Sequence, residues 1–286
     1  MTGPRFIEAN GVRLAVFERM GASPPILFAH ATSFHARSWN QVIARVPERR
    51  TIAFDMRGHG LSSRPDTPYR WRQFGEDAAA LVRALALRGA TGVGHSMGGH
   101  SLAFAAAVAP EAFAELILIE PVIMPRAMYT GRAREPHYAR KRRSHWTSPE
   151  EMFERFKGRP PFRDWNPGVL RDYCEFGLLP QETGEGYDLA CTPETEASIY
   201  EASTLADADI YELLGKIEAC VTVVRAPRFM PAEGPMDMSA SLTAPDLASH
   251  FRHGRDLVVE HSHFIPMEAP GLVAELVNES AANAGA

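Results

Sequence analysis

The chain has 286 residues, of which 45% are hydrophobic, and a formal net charge of -5 at pH 7. A chain of this size can bury a substantial core and suits one domain with an insertion. The net negative charge argues against a nucleic-acid-binding surface, and no apolar run approaches the roughly 18 residues of a membrane span. The composition predicts a soluble protein with neither nucleic acid nor membrane as partner.

The cysteines and the N-terminus indicate the cellular compartment and the redox state of the thiols. The three cysteines, Cys174, Cys191 and Cys220, are odd in number and lack C-x-x-C spacing, which argues against a disulfide framework and a thiolate metal site. The first residues lead directly into a strand-like segment and lack the apolar core of a secretory signal. We therefore expect reduced thiols, no metal and a cytoplasmic location.

The first part of the chain alternates predicted strands and helices. Strands at 6–8 and 12–17 are joined by Asn10-Gly11, a pair that favours a tight hairpin turn. The segments that follow are predicted strands at 26–29, 51–55, 90–93 and 113–121, with helices at 39–44 and 74–87. This alternation predicts an α/β fold with a mostly parallel sheet and helices on both faces.

The middle of the chain differs in composition. From about Met124 to Gly215 the β-branched runs disappear, and Arg, Glu, Pro and aromatic residues become frequent. A helical segment at 150–156 follows Ser148-Pro149. We predict a helical insertion at 124–215 that divides the core into 1–123 and 216–286.

Within that insertion lies a basic cluster between Arg126 and Arg143, which includes the run Arg140-Lys141-Arg142-Arg143. Such a cluster can bind nucleic acid or another anion. The chain as a whole is acidic, however, and no stacking motif accompanies the cluster. We interpret it as a solvated helix face.

The motif around which the rest is organised is Gly94–Gly98, with the sequence GHSMG. The G-x-S-x-G pattern between a strand and a helix predicts that Ser96 is a nucleophile on a sharp turn. Small flanking residues are needed because larger side chains would collide there. The helix that follows, which ends before Pro110, directs its first N–H groups at the serine. The Met97 N–H is therefore a predicted oxyanion donor.

A serine hydroxyl is a weak nucleophile unless a base takes its proton, so the motif predicts a histidine oriented by a carboxylate. Among eleven histidines, His263 follows the predicted last strand at 257–260, at the edge where parallel strands end and ligands bind. His261, two residues earlier, is the alternative.

Four segments resemble motifs of the α/β-hydrolase superfamily, in its serine esterase and haloperoxidase-like branch with a helical cap. They are Ala29–Thr32, similar to the H-G-x oxyanion loop; Asp55–Ser62, similar to D-x-R-G-H-G-x-S; Gly94–Gly99; and Ser262–Pro270, similar to the histidine loop. The resemblance covers nearly the whole chain. It implies that Ser96 is the nucleophile and His263 the base, with the N–H groups of Met97 and Thr32 as the oxyanion hole. It also implies that the insertion caps the pocket and that no cofactor is needed.

The chain departs from the family pattern at Ala31, which replaces the usual glycine of the oxyanion loop, and at the acid. The family usually places an aspartate shortly after the strand that here ends at Val224-Arg225, where none is found. Glu233 and Asp237 follow in a longer loop, and Glu120 ends the preceding strand. All three fit the chain order serine, acid, histidine. We favour Glu120 over Asp237 because a strand end is a rigid platform.

These features predict a serine hydrolase that cleaves a small, largely apolar ester or lactone through an acyl-enzyme. The apolar preference rests on side chains near the predicted pocket, namely Phe34, Met97, Met230, Met236 and Met238. The alternatives with the same triad are a cofactor-independent perhydrolase and a carbon–carbon bond hydrolase. A further alternative is a member of the fold that binds a small ligand without turnover. A serine at the elbow argues against epoxide hydrolase or dehalogenase chemistry, for which related proteins place a carboxylate there.

Overall fold

The structure is a computed structural model that describes residues 3–46, 48–182, 184–229 and 237–283. Its strands are β1 (Arg5–Ala9), β2 (Val12–Arg19), β3 (Ala22–Ala29), β4 (Arg49–Phe54), β5 (Ala90–His95), β6 (Phe113–Ile119), β7 (His145–Trp146), β8 (Leu178–Pro180), β9 (Tyr187–Leu189), β10 (Cys220–Arg225) and β11 (Gly254–Val258). Its α-helices are α1 (Asn40–Ile43), α2 (Trp71–Ala84), α3 (Met97–Val108), α4 (Pro149–Phe156), α5 (Pro167–Phe176), α6 (Pro193–Glu201), α7 (Tyr211–Leu214), α8 (Ile265–Glu268) and α9 (Pro270–Asn283). Short 3-10 helices lie at Ala36–Trp39, Pro110–Ala112, Arg126–Met128, Tyr138–Lys141, Phe162–Asp164, Ala202–Thr204, Ala206–Ala208 and Leu247–His250.

Eight of these strands form one sheet in the order β1-β2-β4-β3-β5-β6-β10-β11. Strands β1 and β2 pair antiparallel, as do β2 and β4, whereas the pairs from β4 through β3 to β11 are parallel. In the register, Ile119 lies opposite both His95 and Val224. The residues that follow β5, β6 and β10 therefore meet at one edge of the sheet, because the carboxyl ends of parallel strands point the same way.

Helices cover both faces of the sheet, as predicted from the alternation of strands and helices. One face is packed against α2 and α3 through buried side chains that include Phe74, Leu81 and Leu102. The other face is packed against α1 and α9 through a separate cluster that includes Val42 and Val277. The two clusters together bury the parallel strands on both sides, which explains their near-continuous apolar sequences.

The segment 124–215 contains three longer helices that begin in the same way. Ser148, Asn166 and Thr192 each accept a hydrogen bond from a backbone N–H of the first turn, and each is followed by proline at the first helical position. Proline suits that position because its missing N–H would have no partner within the helix. The segment also contains a small antiparallel sheet in the order β7-β9-β8. The sequence had predicted a helical insertion, whereas the segment contains this sheet as well as helices.

The basic run at 140–143 is solvated at Arg140, Lys141 and Arg143 but does not lie along one helix, and the predicted solvated helix face is wrong for Arg142. The run straddles the end of the short 3-10 helix Tyr138–Lys141, and three of its arginines pair with carboxylates. Arg140 and Arg143 make exposed ion pairs with Glu201 and Glu151. Arg142 is instead half-buried and points inward, where its contacts form part of the site described below.

Across the described residues, no helix is both long and apolar enough to cross a membrane.

Candidate active site

Ser96 lies between the end of β5 and the first residue of α3, with φ of 56° and ψ of -117°. A non-glycine residue at such a positive φ is strained, which is typical of functional turns. Glycines allow the close approach that the turn requires. A Cβ on Gly98 would lie 2.2 Å from the Ala29 carbonyl oxygen, and one on Gly94 would lie 2.6 Å from the Gly98 carbonyl oxygen. The G-x-S-x-G spacing thus brings the start of α3 directly against the end of β3.

The structure brings Ser96, His263 and Glu120 together in one chain of hydrogen bonds. The His263 Nε2 lies 3.1 Å from the Ser96 Oγ, and the His263 Nδ1 lies 2.9 Å from the Glu120 Oε2. His263 is 2% exposed and Glu120 is fully buried. Because an ionised carboxylate only accepts hydrogen bonds, Nδ1 carries the proton and Nε2 presents its lone pair to the serine.

Glu120 follows β6 directly and is fixed by more than the histidine. Its backbone has a positive φ of 48°, and its N–H donates to the Val224 carbonyl at 2.7 Å. Its Oε1 accepts the Ala226 N–H at 2.6 Å. The two carboxylate oxygens therefore have different partners, one on the loop after β10 and the other on His263.

Among the described residues, the alternative acid Asp237 and the alternative base His261 are not part of this hydrogen-bonded chain. Asp237 is about half exposed and accepts hydrogen bonds from Arg228 at 2.6 Å and from Ser239. Glu233 lies outside the described residues. His261 pairs with Glu268 at 3.1 Å rather than with the serine.

The two predicted oxyanion donors belong to loops that touch. The Thr32 hydroxyl donates to the Met97 sulfur at 3.4 Å. Within the described ranges, neither the Thr32 N–H nor the Met97 N–H donates to another protein group. Ala31 is buried, and its carbonyl accepts the Phe34 N–H at 3.2 Å. The loop therefore accommodates the alanine side chain at position 31.

Two buried histidines, His30 and His59, hold that loop, a role that was not predicted from the sequence. The His59 Nε2 accepts the N–H of Ser33, a residue with φ of 75°, at 3.0 Å, while its Nδ1 donates to the Arg57 carbonyl. The His30 Nε2 accepts the Met56 N–H at 3.0 Å. Both rings are thus neutral and tie the oxyanion loop to the Asp55–Ser62 turn. The only sequence feature that could have indicated this contact is that each of the motifs Ala29–Thr32 and Asp55–Ser62 contains a histidine.

His95, the second residue of the GHSMG motif, supports the histidine loop. Its Nε2 donates to the His263 carbonyl at 2.8 Å. The Met238 carbonyl accepts the His263 N–H at 3.1 Å. His263 is therefore positioned through its backbone as well as through its ring, a detail that the motif alone does not predict.

Burial keeps several histidines of the protein neutral, including His35 and His100, which are also buried. It lowers the pKa of His35, His59 and His100 to about 4 and that of His95 to about 3. Burial has the opposite effect on a carboxyl, and raises the pKa of Asp55 to about 6, although the Ala36 and Leu61 N–H groups oppose the change. In both cases the interior disfavours the charged form.

We expect the free energy of unfolding to fall as pH drops from about 6.5 to about 4. In that window the unfolded chain binds protons on these histidines and the folded chain does not, so acid favours unfolding. Asp55 acts in the opposite sense, because its folded form takes up a proton near pH 6. Burial also raises the pKa of Asp77, so two carboxyls oppose the four histidines. Urea midpoints at pH 7, 5.5 and 4.5 measure the effect. His100→Gln should reduce the pH dependence, and a midpoint constant over this range would contradict the prediction.

A cavity of about 690 Å³ opens beside the oxyanion loop and is lined by residues on both sides of His263, namely Ser262 and Phe264. Its apolar wall is aromatic, with contributions from Phe34, Phe156, Phe162, Trp165, Tyr173 and Phe264. The rings are in contact, with centroids 5.5 Å apart for Phe34 and Trp165 and 5.2 Å apart for Trp165 and Phe264. Of the side chains predicted near the pocket, Phe34 and Met238 line this cavity and Met97 is buried. Met230 and Met236 lie outside the described residues.

No group of three His, Cys, Asp or Glu side chains within the described ranges is arranged to hold a metal ion.

Residues 26–276 match the model of the alpha/beta hydrolase family. The chain belongs to this family. The resemblance inferred from the four sequence motifs is thereby confirmed, as is the predicted mostly parallel sheet with helices on both faces.

Two curated relatives of this alpha/beta hydrolase are themselves hydrolytic enzymes by name. A 2-(acetamidomethylene)succinate hydrolase from Mesorhizobium japonicum is 35% identical over 133 residues, which cover 46% of this chain and 48% of the relative. The alignment thus spans about half of that relative's length. A 3-oxoadipate enol-lactonase from Acinetobacter baylyi is 29% identical over 259 residues, which cover 86% of this chain and 84% of the relative.

Among solved structures, the crystal structure of E-2-(acetamidomethylene)succinate hydrolase superposes with a TM-score of 0.74 at 22% identity. The superposition covers 96% of this chain and 97% of that one. At this level of identity the likeness shows the fold alone.

Proposed function

We propose that this protein is a serine hydrolase that cleaves a small, largely apolar ester or lactone through an acyl-enzyme. Ser96 is the nucleophile, His263 the general base and Glu120 the acid of the triad. The observation that carries the proposal is the hydrogen-bonded chain from the Ser96 hydroxyl through both nitrogens of His263 to the Glu120 carboxylate.

In the acylation step, the His263 Nε2 takes the proton of the Ser96 hydroxyl as the oxygen attacks the ester carbonyl carbon. The carbonyl electron pair moves onto its oxygen, where the N–H groups of Thr32 and Met97 stabilise the negative charge. Glu120 stabilises the imidazolium that forms. Collapse of the tetrahedral intermediate breaks the ester C–O bond, and the departing alkoxide takes the proton from His263.

In the deacylation step, water attacks the acyl-enzyme and gives its proton to the same nitrogen of His263. Collapse of the second intermediate releases the carboxylic acid and returns the proton to Ser96. The net reaction consumes one water for each ester cleaved. A lactone yields a single hydroxy acid instead, because its alcohol and acid remain joined.

We also propose that residues 124–215 form a cap over this site, with 1–123 and 216–286 as the core. The support is that core residues, Phe34 and Phe264, and residues of the insertion, Phe162 and Trp165, line the same cavity beside Thr32. Ring contacts between Phe34 and Trp165 cross from core to cap. A cap of this kind excludes water and shapes the acyl pocket. A cytoplasmic location stays a prediction.

The aromatic wall of the cavity supports a largely apolar substrate. The name of the enol-lactonase relative supports an ester or lactone as the bond that is cleaved. A panel of 4-nitrophenyl alkanoates, simple lactones, and acetate with hydrogen peroxide tests it. We expect ester or lactone hydrolysis to exceed peracid formation and kcat/KM to rise with acyl length until the cavity is filled, since buried apolar area adds binding energy. Peracid formation without ester turnover would favour the perhydrolase alternative, and no turnover would favour a ligand-binding role.

A further inference from the structure

The cavity has a polar corner next to the oxyanion loop, and Arg142 is at its centre. Its Nη1 donates to the Ser33 hydroxyl and, at 2.6 Å, to the Glu196 Oε2, while its Nη2 donates to the Tyr173 hydroxyl at 2.5 Å. The side chain is 21% exposed and lines the cavity. Burial lowers the pKa of Arg142, but Tyr173 and Glu196 outweigh that effect and raise it well above its ordinary value. The guanidinium is therefore charged and fixed in orientation.

Arg142 keeps hydrogen-bonding capacity in this corner. A guanidinium has five N–H bonds in a rigid fork, and the three contacts above use three of them. In the part of the chain that the structure describes, the Nε–H and the second Nη2–H of Arg142 donate to no protein group. Ser33 follows the proposed oxyanion donor Thr32, and both residues line the cavity together with Arg142, so the free N–H groups of Arg142 adjoin the oxyanion loop.

Glu196 balances the charge of Arg142. Its side chain is only 10% exposed, and it forms an ion pair with the guanidinium. A carboxylate on a ligand would meet the Glu196 charge as well as the guanidinium, whereas a neutral carbonyl or ether oxygen would meet only a fixed donor. An uncompensated buried like charge is costly, so the pair discriminates against anions.

The other charges around the cavity point the same way. The charged side chains that line it within the described residues are Arg142, Arg163, Asp164, Glu196, Asp237 and Glu268. Four are carboxylates and two are guanidinium groups. Among the described lining residues, negative charge therefore exceeds positive charge, which disfavours an anionic group on a ligand.

We propose that Arg142, balanced by Glu196, is a specificity-determining residue that binds a neutral hydrogen-bond acceptor of the substrate and rejects a carboxylate at that position. The preferred substrate is then an ester or lactone with a second neutral oxygen group near the reacting carbonyl and an apolar group against the aromatic wall. This inference rests on the proposed hydrolase function and names its substrate class.

The test compares matched substrates that differ only in one group. The 4-nitrophenyl half-esters of succinate, glutarate and adipate carry a terminal carboxylate, their methyl esters carry a neutral acceptor instead, and 4-nitrophenyl alkanoates of equal length carry neither. Three chain lengths sample the distance to Arg142. Rates with the Ser96→Ala variant are subtracted, since the half-esters also hydrolyse by themselves.

For the unaltered protein we expect kcat/KM for the best methyl ester to exceed that for its half-ester by at least about tenfold, the size of a charge-assisted hydrogen bond gained or lost. Glu196→Gln frees the positive charge of Arg142 and should reduce or invert that ratio by about tenfold or more. Arg142→Met should lower kcat/KM for the methyl ester more than for the alkanoate. The ratio between these two substrates separates acceptor binding from a general effect on the Ser33 loop.

Glu201→Gln is the matched control. Glu201 lies on the same helix, α6, and pairs with Arg140 of the same basic run, but it does not line the cavity. This variant should leave the methyl ester to half-ester ratio unchanged. Preference of the unaltered protein for the half-esters would overturn the inference even if Glu196→Gln fails to fold. The inference would also be overturned if Glu201→Gln and Glu196→Gln changed the methyl ester to half-ester ratio of kcat/KM equally. Absence of turnover with all esters, together with no labelling of Ser96 by a fluorophosphonate, would overturn the proposed hydrolase function and this inference with it.

Discussion

Ser96→Ala is expected to abolish ester hydrolysis while leaving the fold intact. The Ser96 hydroxyl lies 3.1 Å from the His263 Nε2, and its loss removes the atom proposed to form the acyl-enzyme. Removal of a triad nucleophile costs at least about 10⁴-fold in kcat. The measurement is kcat for the best 4-nitrophenyl ester, together with covalent labelling by a fluorophosphonate and mass spectrometry of the modified peptide.

The control for this variant is a serine of the same helix. Ser101 lies on α3 and donates to the Met97 carbonyl at 2.8 Å, so Ser101→Ala removes a buried hydroxyl without touching the triad. It should keep fluorophosphonate labelling. Labelling of the Ser96→Ala variant at the rate of the unaltered protein would show that the nucleophile is another residue.

A third replacement separates the strain at the elbow from its chemistry. At φ of 56°, alanine at position 96 remains strained, whereas glycine adopts this region freely. Backbone strain of this kind costs about 1–3 kcal/mol, which glycine relieves. Glycine also has more conformational freedom in the unfolded chain, which lowers the free energy of unfolding by about 0.5–1 kcal/mol and so offsets part of the strain relief. Ser96→Gly should therefore be at least as stable as Ser96→Ala in urea and equally inactive. A clearly less stable glycine variant would contradict strain at this residue.

The core could be predicted from sequence because its signals are local. A hairpin pair at Asn10-Gly11, short apolar runs and the glycines of the elbow each specify their own segment, and the observed strands agree to within a few residues. The spatial proximity of Ser96 and Glu120 also follows from sequence, since both come directly after parallel strands. What the sequence could not supply is the register that places Ile119 opposite both His95 and Val224.

The insertion was less predictable because its contacts are long-range. The basic run at 140–143 has the same sequence pattern whether Arg142 faces solvent or a carboxylate 54 residues away. Only the position of α6 places Glu196 against Arg142. The strands β7, β8 and β9 are two or three residues long, which is too short for alternation of apolar and polar residues to be visible.

The sequence also could not decide which carboxylate is the acid of the triad. Glu120, Asp237 and Glu233 all fit the order of a triad along the chain, and a carboxylate has no sequence mark that distinguishes a buried acceptor from an exposed ion-pair partner. The distinction lies in burial, which is complete for Glu120 and about half for Asp237. The role of Glu120 in catalysis stays a prediction, and one pair of variants tests it.

Glu120→Gln is expected to lower kcat by about 10⁴-fold, with a smaller effect on KM, because it removes the charge that stabilises the His263 imidazolium. The structure adds a second reason. Oε1 accepts the Ala226 N–H at 2.6 Å, so the amide oxygen of glutamine takes that place and its NH₂ group faces the His263 Nδ1. The ring must then accept a hydrogen bond at Nδ1 and carry its proton on Nε2, where it cannot act as a base toward Ser96. Asp237→Asn breaks only an exposed pair with Arg228 and should leave kcat nearly unchanged. An inactive Asp237→Asn beside an active Glu120→Gln would instead place the acid in the loop after β10.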